Sequence, residues 1–181
     1  MLLSALLLLS SHAAAQPQKP TVISEVHVDR IPAPKTLASA VESAQAIAVV
    51  TILSSQPMQV TSPGPARTIY SARVDDVFKS HQMLTGLVDV FRVGGDVDEG
   101  TQITSYIEVG FPKYKQGDQY VLFMTFNTYA TMFQPKNGPD GSYEIVASTS
   151  INPLGRSPLA VAQQGRPAST FIADLKALAQ P

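Results

Sequence analysis

Ala46-Ile47-Ala48-Val49-Val50-Thr51-Ile52-Leu53 is the stretch on which the fold turns. It has the length of a strand and is rich in β-branched residues, which pack well on a pleated surface. Apolar side chains fall at odd and even positions alike. A strand that shows an apolar row to each face is covered on both, so this one is expected at the centre of its sheet.

Upstream, Pro32-Ala33-Pro34-Lys35 ends whatever Glu25-Val26-His27-Val28 forms. Thr36 can then cap a helix whose apolar residues Leu37, Ala40, Val41 and Ala44 recur at helical spacing, and that helix should end near Gln45. Downstream, Ser54 to Arg67 holds Pro57, Pro63, Gly64 and Pro65 and reads as a surface loop. Ile69 to Phe78 reads as a long strand whose alternation slips a register near Asp75, as at a β-bulge. Leu87 to Val93 alternates cleanly and stops at Gly94-Gly95, where two glycines allow a tight turn. An acidic turn follows between Gly95 and Gly100, and Ile103 to Val109 and Tyr120 to Phe126 are further strands. Ala130 to Gln134 and Tyr143 to Ala147 flank a glycine-rich hairpin turn at Asn137-Gly138-Pro139-Asp140-Gly141. After a stretch marked by proline and glycine, Asn152 to Pro167, the apolar residues of Ser169 to Ala179 share one helical face.

Helix, six or seven short strands, helix is therefore the expected order. Strands do not alternate with helices, so a parallel α/β sheet is not expected; a small antiparallel barrel or a sandwich is. The expected core contains Ile47, Val49, Val74, Val90, Val121 and Phe123, with the final helix packed on it through Phe171, Leu175 and Leu178.

Residues 1–15 read as a signal peptide: an apolar run from Met1 to Leu9, then Ala13-Ala14-Ala15, with cleavage expected after Ala15. That run is too short to span a bilayer, no later stretch is long enough, and no membrane span is expected after cleavage. Residues 16–25 read as a flexible leader with Pro17 and Pro20, and residues 26–181 as one domain. The remaining chain of about 166 residues can bury a real core without cross-links. A secreted or periplasmic location is expected from the signal peptide.

The composition removes several kinds of chemistry. With no cysteine, thiolate nucleophiles, disulfides and cysteine-held metals are excluded. Beyond the signal segment only His27 and His81 remain, without paired spacing, so no metal site is assigned. No Gly-x-Ser-x-Gly elbow and no phosphate-binding glycine loop occurs. Asp96-Val97-Asp98-Glu99-Gly100 begins like a calcium loop but lacks its second half, and reads as a solvated hairpin tip. Asp75 and Asp76, with Glu108, are the carboxylates from which a glycoside hydrolase could be built. Neighbours on a strand face opposite ways, so Asp75 and Asp76 share a site only across a bulge. Tyr106, Phe111, Tyr114 and Tyr120 lie near Lys113 and Lys115, a weak stacking stripe of the kind single-stranded nucleic acid uses. A net charge of −1 gives no general attraction to nucleic acid, which is not an expected partner, and the aromatics read as core and rim.

Three motifs carry a resemblance: Tyr70-x-x-x-Val74-x-x-Val77-Phe78-Lys79, Val90-x-x-Val93-Gly94-Gly95, and Gly110-x-Pro112-x-Tyr114-x-x-Gly117-Asp118-x-Tyr120-Val121-Leu122-Phe123. With the helix at Phe171 to Leu178, the chain resembles a group of secreted bacterial proteins of unknown function. More distantly it resembles the netrin-like, or tissue-inhibitor-of-metalloproteinase-like, variant of the OB barrel. The resemblance implies a mostly β fold, a small antiparallel OB-like barrel with a short N-terminal and a C-terminal helix; an immunoglobulin-like β-sandwich is the alternative. In those inhibitors an amino-terminal cysteine meets the catalytic zinc, and this chain has none, so that mechanism does not carry over. Ser80-His81 also stands where the relatives have glycine after Lys79.

By elimination the expected role is a non-catalytic, exported protein-interaction module without cofactor, metal or assigned catalytic residue. Its partner is an unidentified protein, held by the loops at Gln56 to Arg67 and Gly94 to Gly100. A hydrolase using Asp75, Asp76, Asp96 or Asp98 is the rival, and protease-inhibitor-like binding a refinement.

Overall fold

The structure, a computed structural model, describes residues 18–30, 32–58, 66–81 and 84–180. The expected signal peptide and the tip of the expected Gln56 to Arg67 loop lie outside the described residues. Along the chain run β1 (Thr21–Val26), α1 (Leu37–Ser43), β2 (Ala46–Met58), β3 (Arg67–Ser80), β4 (Leu87–Val93), β5 (Gly95–Asp98) and β6 (Ile103–Glu108). Then come β7 (Gln119–Asn127), β8 (Met132–Pro135), a 3-10 turn (Gly138–Gly141), β9 (Ser142–Val146), β10 (Ser150–Pro153), α2 (Pro158–Ala162) and α3 (Ala168–Ala179).

β2 is central, as its two apolar rows require. It pairs antiparallel with β3 on one side and β7 on the other. β4 continues from β3; β8 meets β4 in parallel at Val90 and Phe133, and closes onto β7 from Met124–Pro135 to Asn127–Met132. The ring β2-β3-β4-β8-β7 is a closed, mostly antiparallel barrel of the OB-like kind. Two facing sheets, the sandwich alternative, would leave that ring open. β9 and β10 extend the sheet beyond β7, and β1, β6 and β5 make a separate three-stranded sheet.

The ring divides the hydrophobic core in two. Ala46, Ala48, Val50 and Ile52 of β2 and Tyr120, Leu122 and Met124 of β7 point into the barrel, with Val90 among them and Val74 half-buried against them. Ile47, Val49, Val121 and Phe123 point outward, beneath α1 and α3, and join Tyr143, Phe171 and Leu175. Phe171 and Leu175 are fully buried, but Leu178 is 42% exposed and does not anchor the helix as expected. At about 100° per residue, Ala168, Phe171, Ile172, Leu175 and Ala179 fall within one arc, and Leu178 lies just outside its edge. α1 begins at Thr36 with a capping box: Ser39 N–H donates to Thr36 Oγ1, and Thr36 N–H to Ser39 Oγ.

The bulge expected near Asp75 is present, since Val49 pairs with Asp76 and Val50 with Val74, leaving Asp75 over. Other boundaries differ. Ser54 to Met58, expected as loop, continues β2 against Arg67 to Ser71; Pro57 is accommodated because β7 no longer flanks β2 there, so no ladder needs its N–H. Thr21 to Val26, expected mostly within the leader, forms β1 and pairs in parallel with β6, its β-branched Val22 and Ile23 exposed. Gly95 to Asp98, expected as turn, is β5, and the chain reverses at Glu99 to Gln102 instead. β10 and α2 lie within the Asn152 to Pro167 stretch and its flank, where only proline and glycine punctuation was legible; Ser157 caps α2 and Pro158 opens it.

Candidate functional site

The chain passes from the barrel to the three-stranded sheet at Gly94 and Gly95, with φ of 94° and 141°. Only glycine fits. A Cβ on Gly94 would lie 2.9 Å from the Tyr106 carbonyl oxygen, and one on Gly95 2.3 Å from Thr68 Oγ1. Thr68 Oγ1 donates to the Gly94 carbonyl at 2.8 Å and fixes the corner against β3.

Beside this corner two charged side chains are buried, Arg92 of β4 at 5% exposure and Glu108 of β6 at 4%. Arg92 Nη1 donates to the Pro112 carbonyl at 2.7 Å and Nη2 to the Phe111 carbonyl at 2.9 Å. Its guanidinium carbon sits 3.2 Å from the centre of the Phe111 ring and 4.7 Å from that of Tyr114. Glu108 is ion-paired with Arg30, which reaches in from the segment after β1, and lies 4.0 Å from Arg92 Nη2. Burial lowers the pKa of Arg92 and of Arg30 from the usual 12.5. Both stay charged at neutral pH, because guanidinium is not deprotonated in proteins. Arg92 Nε is buried without a hydrogen-bond partner.

A cleft of about 230 Å³ opens here, walled mainly by the apolar faces of Tyr70, Tyr106, Ile107, Phe111 and Pro112 and by the glycine corner. It has a neighbour on either side. One, of about 220 Å³, shares Thr68, Tyr70, Gly95 and Lys113 with it and extends to Ser55 and Pro57. The other, of about 550 Å³, shares Ile107, Glu108, Phe111 and Pro112 and extends to Leu154, Arg156 and Gln164. The two outer clefts share no lining residue with each other, so the central one joins them in succession.

The carboxylates singled out in the sequence are kept apart by separate partners. Asp75 accepts from Thr51 Oγ1 at 2.5 Å, Arg73 Nε at 2.8 Å and Gln119 Nε2 at 3.0 Å. Burial opposes its charge, but those hydrogen bonds prevail and hold it below the ordinary 3.8. Asp76 pairs with Lys176 of α3 at 2.8 Å. Asp96 accepts from Ser105 at 2.6 Å and Lys113 at 3.0 Å, and Asp98 from Lys19 at 2.6 Å. Hydrogen bonding from Ser105 and from Lys19, respectively, lowers their pKa values. Glu99 accepts from Gln102. Among the described residues no three of His, Asp and Glu gather as a metal site would need.

His27 and His81 are exposed, and His81 borders a separate cleft with Gln45, Phe126 and Phe133. The expected aromatic stripe splits up. Phe111, Tyr114 and Tyr120 are buried in the barrel, where Tyr114 packs edge-on to Tyr70 at 5.1 Å and shares a hydrogen bond with Ser142 at 2.7 Å. Burial raises the pKa of Tyr114, and takes that of Tyr120 to about 12. Tyr106 is half-buried in the cleft wall, to which the buried Phe111 also contributes.

Arg92 and Arg30 were not singled out by sequence reasoning. A signal for Arg92 existed: it is in phase with Val88 and Val90, on the inward row of β4, where a charged residue must find partners. Arg30 gave none, since its partner lies across the fold.

Compared with known proteins, the chain matches no family model and no curated protein shows significant similarity to it.

Proposed function

We propose that this chain is an exported, non-catalytic recognition module that holds a protein partner by seating one apolar side chain in the cleft beside Gly94 and Gly95. The size and lining of that cleft carry the reading. Its volume of about 230 Å³ is below the roughly 300–1,000 Å³ of sites for drug-sized ligands and cofactors, and above the roughly 150 Å³ that accepts a benzene ring. One aromatic or large aliphatic side chain is the matching guest. Rigid pockets of this kind, rimmed by polar groups, are where protein interfaces place their anchor residues.

The charged groups here support binding rather than reaction. Arg92 holds the Phe111 and Pro112 carbonyls, Glu108 neutralises Arg30, and Asp75, Asp76, Asp96 and Asp98 each answer a different donor. A carboxylate hydrolase needs two such groups facing one substrate bond.

Export rests on the apolar run and the Ala13-Ala14-Ala15 cleavage pattern. Mass spectrometry of the protein recovered from its native host tests it: a mature start at Gln16 is expected, and a retained Met1 would refute export.

Titration with N-acetyl-phenylalaninamide, followed by amide NMR shifts, tests the anchor cleft. Gly94, Gly95, Tyr106 and Ile107 are expected to shift together. Ile107→Arg, placing a charge at an exposed lining position, should abolish the shifts without unfolding the chain. Undisturbed amides around the corner at millimolar ligand would refute the proposal.

A further inference from the structure

The three successive clefts point to the form and charge of the partner, and this inference rests on the anchor reading above. We infer that they take an extended segment of a partner polypeptide, with its apolar anchor in the central cleft and an acidic residue toward Arg156.

The extended form follows from the arrangement. The central cleft touches one neighbour through Thr68, Tyr70, Gly95 and Lys113, and the other through Ile107, Glu108, Phe111 and Pro112. A helix or a folded loop presents its anchors as a cluster; a strand-like segment passes through successive depressions in line, at about 3.3 Å per residue. The central depression is the most apolar of the three in character, walled by aromatic rings, and takes the anchor. Tyr70 borders both it and one neighbour, and Pro112 both it and the other, so a single well-filled position between them specifies the register.

The charge follows from which lining groups are already paired. Lys113 is bound to Asp96 at 3.0 Å, and Arg92 and Arg30 enclose Glu108. Arg156, in the largest of the three clefts, is exposed and has no hydrogen-bond or ion-pair partner among the described residues. The series therefore presents one uncommitted cation among its described lining residues, at one end. A carboxylate meeting it gains a forked pair, and a lysine there meets repulsion, so the segment also has a direction.

Fluorescence polarisation on the full chain tests this, with blocked nine-residue peptides of Ser, Thr and Gly around a central Phe. A single Glu is scanned through each position on both sides, with Gln and Lys as controls. On one side of the anchor only, Glu is expected to tighten binding about two- to fivefold over Gln, the range of an exposed ion pair. Lys at that position should weaken binding, and added salt should erase the difference. Arg156→Glu should invert the preference, and Arg156→Ala should remove it. Equal binding of Glu, Gln and Lys peptides at every position, with Phe still preferred over Ala at the centre, would overturn the inference and leave the anchor cleft standing. Loss of the Phe preference itself would overturn both.

Discussion

Thr51 Oγ1 donates to Asp75 Oδ2 at 2.5 Å, and Asp75 is the residue left over where β3 bulges against β2. The central strand thus ties down a position of its neighbour that has no ladder partner. Arg73 and Gln119 complete the carboxylate's shell, so the bulge is held by β2, β3 and β7 together.

Asp75→Asn should destabilise the fold by about 1.5–3 kcal/mol at neutral pH, the worth of hydrogen bonds to a charged group. The sign of the pH dependence is fixed. The folded pKa lies below the unfolded 3.8, so the stabilisation is complete well above pH 3.8 and is lost as pH falls through the folded value. Urea titrations of the two proteins from pH 7 down to pH 2 should converge at the acid end. A constant gap would contradict the assignment.

Phe123 is outward-facing on β7, 3% exposed, with its ring centre 5.7 Å from that of Tyr143. Phe123→Ala should cost about 3–5 kcal/mol in denaturant titration. A loss below about 1 kcal/mol would mean that the layer between barrel and helices is not a packed core.

The sequence revealed this layer only in part. Both apolar rows of Ala46 to Leu53 were visible, and they placed β2 at the centre; that the rows serve two different cores depends on ring closure by β8, a four-residue strand too short to announce its partners. The bulge at Asp75 showed as a slip in alternation because a bulge changes the local period. β1 was hidden because Pro17 and Pro20 mask the β-branched pair Val22 and Ile23, and because parallel pairing to β6 joins segments distant in sequence. The cleft was half legible. Gly94 and Gly95 stood out, whereas the Arg30–Glu108 pair is a tertiary contact for which no local pattern exists.

Glu108→Ala should cost about 3–5 kcal/mol, since it strands the buried Arg92 and the half-buried Arg30 without their counter-charge. Glu108→Gln, which keeps the shape, should lose less. Equal stability of all three proteins in urea would show that the pair does not hold the segment after β1 in place.

Gly95→Ala should destabilise the chain more than Gly100→Ala. Both carry positive φ, of 141° and 87°, but an added Cβ meets Thr68 Oγ1 at 2.3 Å in the first case and nothing within 4 Å in the second. Backbone strain of about 1–3 kcal/mol is common to both. Thermal denaturation should rank Gly95→Ala below Gly100→Ala, and Thr68→Ala should recover part of the difference; the reverse ranking would contradict the tight corner.

The central claim, that the cleft beside Gly94 and Gly95 seats an apolar side chain of a partner, is tested most directly by intermolecular nuclear Overhauser contacts between a Phe-centred peptide and the isotope-labelled chain. The account predicts contacts from the phenylalanine ring to the Ile107 and Val93 methyl groups and the Tyr106 ring, all of which line the cleft. Contacts instead to the exposed Val22 and Ile23 of β1, to Tyr129 or to the cleft at His81, with none at Ile107, would contradict it.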